Sequence, residues 1–162
     1  MSANRHLGRI IALQTLYEQE FRLACGDKNL DVQEVLSRNI NRYKDTIEDR
    51  EFIKTLVEGV IAQQDALDAI LQPVAPDWPI DQIARMDRIV LRMGVYELLH
   101  EPSTPHKVAI NEAVELAKAF GSDNSSKFVN GVLGTVQRQQ HPDEEPNEPK
   151  GKPATTDKKD KK

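Results

Sequence analysis

Aliphatic side chains recur at steps of three and four residues along most of the chain, and this spacing constrains the fold more than any other feature. The clearest run is Ile53, Leu56, Val57, Val60, Ile61, Leu67 and Leu71. Because an α-helix turns once every 3.6 residues, such spacing places the apolar side chains on one face. No segment alternates apolar and polar residues for long enough to indicate a strand. We therefore predict an all-α protein.

Turn-forming residues divide the first part of this pattern into three helices. The first helix is expected over about Asn4–Leu23, with Gly26 ending it in the left-handed conformation. Asp31 has the side chain and position of an N-cap for a short second helix. The third helix is expected to be long and to stop near Pro73, since proline cannot continue a helix.

The second part of the chain contains three further apolar stripes, each preceded by a residue that can cap a helix. Asp81 is expected to cap the fourth helix. Thr104 followed by Pro105 fits the cap and first position of the next helix. Ser122 or Asp123 is expected to cap the last one.

The proline-rich stretch VAPDWP, residues 74–79, is the best internal boundary. It divides a predicted helical domain, residues 1–138, into halves of about 1–72 and 79–138. Residues 139–162 have no aliphatic side chain larger than alanine, and their six lysines balance six carboxylates. Such a segment buries too little apolar area to offset the entropy of ordering, so we predict a disordered charged tail.

The sequence favours a cytoplasmic binding protein over an enzyme. The histidines, His6, His100, His106 and His141, lie in different segments, and the one cysteine, Cys25, belongs to no cluster with metal-ligand spacing. We find no glycine-rich phosphate loop and no nucleophile motif. No apolar run approaches the roughly 20 residues that span a bilayer. We therefore expect no catalytic residue, metal, cofactor or membrane contact.

The start of the first helix is locally positive on a chain whose net charge is −4. Arg5 and Arg9 are one turn apart, and no acidic residue precedes Glu18. Cations oppose the helix dipole there, unless an anion such as RNA phosphate occupies the helix end. Tyr17, two turns further on, could then offer its ring to a base. Two solvated arginines and a packing tyrosine explain the same residues equally well.

The polar turn AFGSDNSSKF, residues 119–128, is a second candidate contact for RNA. It offers serine, asparagine and aspartate groups between Lys118 and Lys127, and single-stranded RNA is bound by such groups together with aromatic rings. An ordinary helix cap, with Phe120 and Phe128 in the core, is the simpler explanation and the one that these residues alone favour.

Four segments of the chain resemble the NusB family. The most specific is PHKVAINEAVELAKAFGSDNSSKFVNGVL, residues 105–133. DRIVLRMGVYELL (87–99), QTLYEQEF (14–21) and LVEGV (56–60) support it, so that the similarity covers most of residues 5–138.

The resemblance implies a bundle of about seven helices, built as two stacked three-helix subdomains with an added helix. It implies a transcription antitermination factor that binds the boxA element of nascent ribosomal RNA together with NusE, a small-subunit ribosomal protein. The complex joins the RNA polymerase elongation complex with other Nus factors, and some family members form homodimers that hide the RNA face. Members of the family are not enzymes.

The resemblance also assigns roles to individual positions. The expected RNA contacts are Arg5, Arg9, Tyr17, Lys118, Gly121, Asn124, Ser125, Lys127 and Phe128. The expected contacts with NusE are Asp81 and Asp87. Arg88, Arg92 and Glu97 are expected to form structural pairs. The family's arginine run is thinned here to RHLGR, residues 5–9, and Asn124 stands where an acidic residue is common.

Two alternatives stay open on the sequence. One is a domain like the RNA-binding module of ribosomal RNA cytosine methyltransferases, although no methyltransferase segment follows it in this sequence. The other is a protein-only adaptor for a basic ribosomal protein. RNA binding predicts strong salt dependence and a loss on Arg9→Ala, whereas the adaptor predicts NusE binding that this substitution leaves unchanged.

Overall fold

The computed structural model describes residues 4–143, which form seven α-helices and two short 3₁₀ turns without any strand. The prediction of an all-α fold is confirmed. The helices are α1 (Asn4–Ala24), α2 (Val32–Asn41), α3 (Arg50–Ala62), α4 (Gln64–Leu71), α5 (Arg85–His100), α6 (His106–Phe120) and α7 (Ser125–Gln140), and the 3₁₀ turns are Gln72–Val74 and Ile80–Gln82. None of these helices combines the length and apolar character needed to cross a membrane.

Helix α5 is the centre of the fold. It packs against α1, α3 and α4 on one side and against α6 and α7 on the other. Its residues 89–98 are all buried. Helix α1 packs against both α2 and α3, and α5, α6 and α7 pack pairwise, which gives two three-helix groups. A single apolar cluster draws on both groups, so the predicted halves share one core.

The long third helix of the prediction is two helices. Helix α3 ends at Ala62, and α4 begins at Gln64 after the non-helical Gln63. The prediction was wrong because Leu67 and Leu71 of α4 are buried like the apolar residues of α3, and the prediction joined the two stripes across the gap between Ile61 and Leu67. A signal did exist: Gln64 and Asp65 are polar where one more helical turn would need an apolar residue after Ile61.

Two predicted helix boundaries are confirmed. The side chain of Asp31 accepts a hydrogen bond from the backbone N–H of Gln33 at 3.0 Å and caps α2. Gly26 follows α1 with a φ of 77°, a conformation that glycine adopts without a steric penalty.

Three predicted caps are wrong. Asp81 lies in a 3₁₀ turn, and α5 starts only at Arg85, because the guanidinium of Arg88 donates to the carbonyl groups that end the connector. The buried hydroxyl of Thr104 faces Glu97 instead of capping α6. Neither Ser122 nor Asp123 caps α7, which begins at Ser125.

Helix α7 continues to Gln140, two residues past Arg138. Gln139 and Gln140, which we assigned to the disordered tail, are therefore helical, and residues 141–143 form a turn. Residues 144–162 lie outside the described part of the chain, so the predicted disorder stays a prediction.

Candidate nucleic-acid interface

The first turns of α1 are tied to the rest of the protein by Arg5. Its Nη2 lies 3.2 Å from Oδ2 of Asp49, and its Nη1 donates to Oγ of Ser103 at 3.0 Å. Its guanidinium also lies 4.4 Å from the ring centre of Phe52. Asp49 in turn caps α3 by accepting from the N–H of Phe52. Arg5 therefore joins the starts of α1 and α3 to the α5–α6 loop.

Arg9 forms a buried ion pair with Glu97 of α5. Nε of Arg9 lies 3.1 Å and 3.0 Å from the two carboxylate oxygens, and Nη2 lies 2.7 Å from Oε1. The side chains are only 2% and 3% exposed. Burial raises the pKa of the Glu97 carboxyl, and the hydrogen bonds from Arg9 oppose that rise.

These contacts correct the prediction made for the start of α1. We expected two arginines with no acid to offset them, but Arg5 meets Asp49 and Arg9 meets Glu97. In addition, Nδ1 of His6 lies 2.7 Å from Oε2 of Glu112 on α6. A guanidinium that is 2% exposed cannot reach a phosphate outside the fold, so Arg9 is a structural residue in this conformation.

Tyr17 lines an open apolar groove of about 350 Å³ between α1, the start of α5 and the end of α6. We call it the aromatic groove; its walls are Leu13, Gln14, Tyr17, Glu18, Phe21, Met86 and Phe120. Phe21 is 48% exposed and Phe120 is 40% exposed. The guanidinium of Arg85 lies 5.8 Å from the Tyr17 ring centre. Tyr17 and the end of α6 therefore share one surface, as the predicted interface requires.

Gly121 and Ser125 build the turn between α6 and α7. A Cβ on Gly121 would lie 2.5 Å from Oγ of Ser125 and 2.7 Å from the carbonyl oxygen of Ala117, so only glycine fits there. Ser125 is 1% exposed, and its Oγ accepts from the N–H of Ser122 at 2.9 Å. The expectation that Ser125 touches RNA needs correction, because its hydroxyl is buried and already hydrogen-bonded.

The other predicted residues of this turn are accessible. Lys118 is exposed, and its Nζ lies 3.4 Å from Oε1 of Glu115. Asn124, which directly precedes α7, is also exposed. Lys127 is exposed and forms no ion pair with any residue between 4 and 143. Phe128 is half-buried against the core. This turn therefore presents a free ammonium group beside an aromatic edge.

Lys127 and Phe128 also line a second groove, of about 310 Å³, which we call the connector groove. One wall is the connector between α4 and α5, and the other is α7. The lining residues are Val74, Ala75, Pro76, Asp77, Trp78, Lys127, Phe128, Gly131 and Val132. The sequence predicted an internal boundary here but gave its Trp78 no role. The available signal was the only tryptophan of the chain within a polar, proline-rich segment.

The two predicted partner-binding residues lie on different parts of the surface. Asp81 is exposed on the 3₁₀ turn before α5. Asp87 is half-buried in the first turn of α5, one residue after Met86 of the aromatic groove. Neither carboxylate forms an ion pair within residues 4–143.

Arg88, Arg92 and Glu97 all form ion pairs with other parts of the fold, as the family resemblance led us to expect. Arg92 makes two hydrogen bonds, of 2.8 Å and 2.9 Å, to Asp68 of α4, and Arg88 pairs with Glu20 of α1. Glu97 pairs with Arg9. These contacts join α1 and α4 to α5. Within the described residues, no three histidine, cysteine or acidic side chains are placed to hold a metal ion.

Comparison with known proteins agrees with the resemblance. The NusB family profile matches residues 6–138. The transcription antitermination protein NusB of Dehalococcoides mccartyi is 41% identical over 138 residues, which cover 85% of this chain and 92% of the relative. The same protein of Chloroflexus aggregans is 43% identical over 150 residues, covering 91% of this chain and 96% of the relative.

Solved structures show the same fold. T. maritima NusB superposes with a TM-score of 0.74 at 29% identity, covering 86% of this chain and 94% of that one. A crystal structure of the antitermination factors NusB and NusE in complex with dsRNA superposes with a TM-score of 0.71 at 24% identity, covering 86% of this chain and 99% of that one.

Proposed function

The chain belongs to the NusB family, and from this premise we propose that it is a transcription antitermination factor. In this role it binds the boxA-type single-stranded RNA of nascent ribosomal RNA transcripts together with NusE. The complex joins the RNA polymerase elongation complex through other Nus factors. The protein acts by binding and without catalysis, in the cytoplasm, where bacterial transcripts are made.

The RNA-binding part of the proposal rests on Lys127 at the start of α7, which forms no ion pair with any other residue that the structure describes. No acidic residue occupies the first turn of this helix, so its partial positive charge adds to that of the ammonium group. The exposed Asn124 offers an amide, and Phe128 an aromatic edge, within one helical turn. These are the groups that hold phosphates and unpaired bases of RNA. A local patch of this kind binds RNA even on a protein with a net charge of −4.

The proposed surface for NusE is the aromatic groove with Asp87 beside it, so Tyr17, which the family resemblance suggested as an RNA contact, belongs to the NusE surface in this proposal. Phe21 and Phe120 expose about half of their rings there, and contiguous exposed apolar area is typical of a protein interface. The free carboxylate of Asp87 gives a basic ribosomal protein a charged partner. Sedimentation analysis in the presence and absence of NusE distinguishes this heterodimer from a homodimer, which the family resemblance also allows.

The test is a binding titration of a boxA-like RNA and its scrambled version, with and without NusE, across a series of salt concentrations. Tighter binding of the boxA-like RNA is expected, more so with NusE. Lys127→Ala should weaken binding and reduce the salt slope by about 0.7, the value for one phosphate contact on a single strand.

Lys54→Ala is the matched control, because Lys54 is an exposed lysine on α3, which lines neither groove. It should leave the slope unchanged. The proposal is contradicted if the two RNAs bind equally, or if NusE binds firmly while no RNA binds at any salt concentration. The latter result would favour the protein-only adaptor.

A further inference from the structure

The connector groove presents Trp78 on a backbone that is held in place. The side chain of Gln72 donates from Nε2 to the carbonyl oxygen of Trp78 at 3.0 Å and accepts at Oε1 from the N–H of Ile80 at 3.0 Å. The N–H of Trp78 donates to the carbonyl oxygen of Ala75 at 3.1 Å. These bonds fix the turn, yet the indole it carries is 57% exposed. The indole lies in a groove that Val74, Pro76 and Phe128 also line, and exposed apolar residues that cluster in this way are typical of a binding surface.

Gly131, in the opposite wall, leaves space that no part of the described protein fills. It lies inside α7, where glycine is unfavourable compared with alanine. A Cβ at Gly59, Gly94 or Gly121 would collide with a neighbouring side chain, but a Cβ at Gly131 would meet no atom within 4 Å. Packing among the described residues therefore does not explain this glycine, whereas close approach of a molecule from outside would.

The charges in the groove specify the kind of molecule. Lys127 contributes a free ammonium group on the α7 side, and Asp77 contributes a carboxylate on the connector side. A ligand with a flat ring for Trp78 and an anion for Lys127 fits this arrangement, with the anion placed away from Asp77. A nucleotide of single-stranded RNA has both groups, and aromatic platforms beside cations are a common way to bind it.

We propose that the connector groove is a base-stacking subsite for single-stranded RNA. One base stacks on the indole of Trp78, the adjoining phosphate lies against Lys127, and Gly131 allows the strand to lie close to α7. The subsite rests on the proposed RNA-binding function and extends the RNA surface from the α6–α7 turn to the α4–α5 connector.

The fluorescence of Trp78 reports directly on this subsite, because it is the only tryptophan in the full chain. Titration with the boxA-like RNA should quench it, with the same midpoint as the anisotropy of labelled RNA. Trp78→Leu should weaken RNA binding by about 5- to 100-fold, the range for loss of one stacked base, and Trp78→Phe should restore part of the affinity. Circular dichroism checks that each variant is folded.

Two substitutions separate binding from structure. Gly131→Ala should raise the melting temperature, because alanine favours the helix, while it weakens RNA binding, because the methyl group occupies the space of the strand. Asp77→Asn should tighten RNA binding, because it removes a negative charge beside the phosphate path. A purely structural role for these residues predicts no change in RNA affinity for either variant.

The outcomes distinguish this subsite from the function on which it rests. The subsite is refuted if RNA binds the unaltered protein without quenching Trp78 and if Trp78→Leu and Gly131→Ala bind RNA normally, although RNA binding itself would then stand. Quenching by NusE alone, with none by RNA, would assign the groove to a protein and also overturn the subsite. If no RNA binds the unaltered protein with or without NusE, the proposed function itself fails.

Discussion

Arg9→Met tests whether the arginine in the second turn of α1 supports the fold or binds RNA. Methionine keeps much of the apolar stem but leaves the carboxylate of Glu97, which is 3% exposed, without its ion-pair partner. Removing one member of a buried ion pair typically costs about 3–5 kcal/mol. We therefore expect a large loss of stability and, for the folded fraction, RNA affinity within about twofold of the unaltered protein, since a buried side chain makes no contact with RNA.

The size of the loss should depend on pH, because Glu97 can avoid an unpaired charge by taking up a proton. Protonating Glu97 costs about 1.4 kcal/mol for each unit by which the pH exceeds the ordinary glutamate pKa of about 4.3, which amounts to about 3.8 kcal/mol at pH 7 and about 1 kcal/mol at pH 5. Burial already raises the pKa of Glu97, and loss of Arg9 removes the hydrogen bonds that oppose the rise.

The direction of the pH effect follows from proton binding. A carboxyl whose pKa is higher in the folded state binds more protons there than in the unfolded state. Its contribution to stability is therefore present below the unfolded pKa and is lost as the pH rises through the folded pKa. The stability difference between Arg9→Met and the unaltered protein should shrink from pH 7 to pH 5.

Urea denaturation at the two pH values measures this difference, and a thermal melt at pH 7 should show a midpoint lowered by roughly 10 °C. Arg5→Met is the matched control. It is the same change one turn earlier, in a pair whose side chains are 22% and 40% exposed, and such pairs contribute about 1 kcal/mol or less. Equal losses for the two variants, or a loss for Arg9→Met that does not shrink at pH 5, would refute the reasoning.

Substitutions at two further positions and one truncation test a close contact, a helix cap and the tail. Gly59→Ala should destabilise the fold by about 1–3 kcal/mol in urea denaturation, because a Cβ there would lie 2.2 Å from the Tyr96 ring; a stability equal to that of the unaltered protein would contradict this close contact. Asp31→Ala should lower the free energy of unfolding by about 1 kcal/mol, because α2 loses its cap. Asp31→Asn should retain most of that stability, because asparagine also caps helices. Removal of residues 144–162 should leave the melting midpoint unchanged, and a drop of several degrees would show that the tail packs on the domain.

The helices were predictable because their signals are local. The apolar spacing that defines α1, α6 and α7 needs only neighbouring residues, and so does the Asp31 cap. The break at Gln63 was missed, because the buried leucines of α4 resemble a continuation of the apolar stripe of α3. The caps at Asp81 and Thr104 were wrong for another reason: contacts from Arg88 and with Glu97 decide the local conformation there.

The candidate RNA surface was predictable only in part. Family resemblance identified the α6–α7 turn, where Lys127 and Asn124 are exposed as expected. It also suggested Arg9 and Ser125, which the fold buries. Trp78 carried no recognised motif, so its exposure and its position opposite Gly131 became visible only in the structure.

The sequence by itself determined the helical class, the helix boundaries at Gly26 and Asp31, and the family, because these depend on periodicity and on motifs of a few neighbouring residues. Only the tertiary structure decided which charges are free to bind a ligand. Arg9 and Glu97 are 88 positions apart in the chain, and charge along the sequence does not show which distant carboxylate an arginine will meet. Burial then makes the pairing strong, because a charge removed from water needs a partner, while Lys127 stays exposed and available.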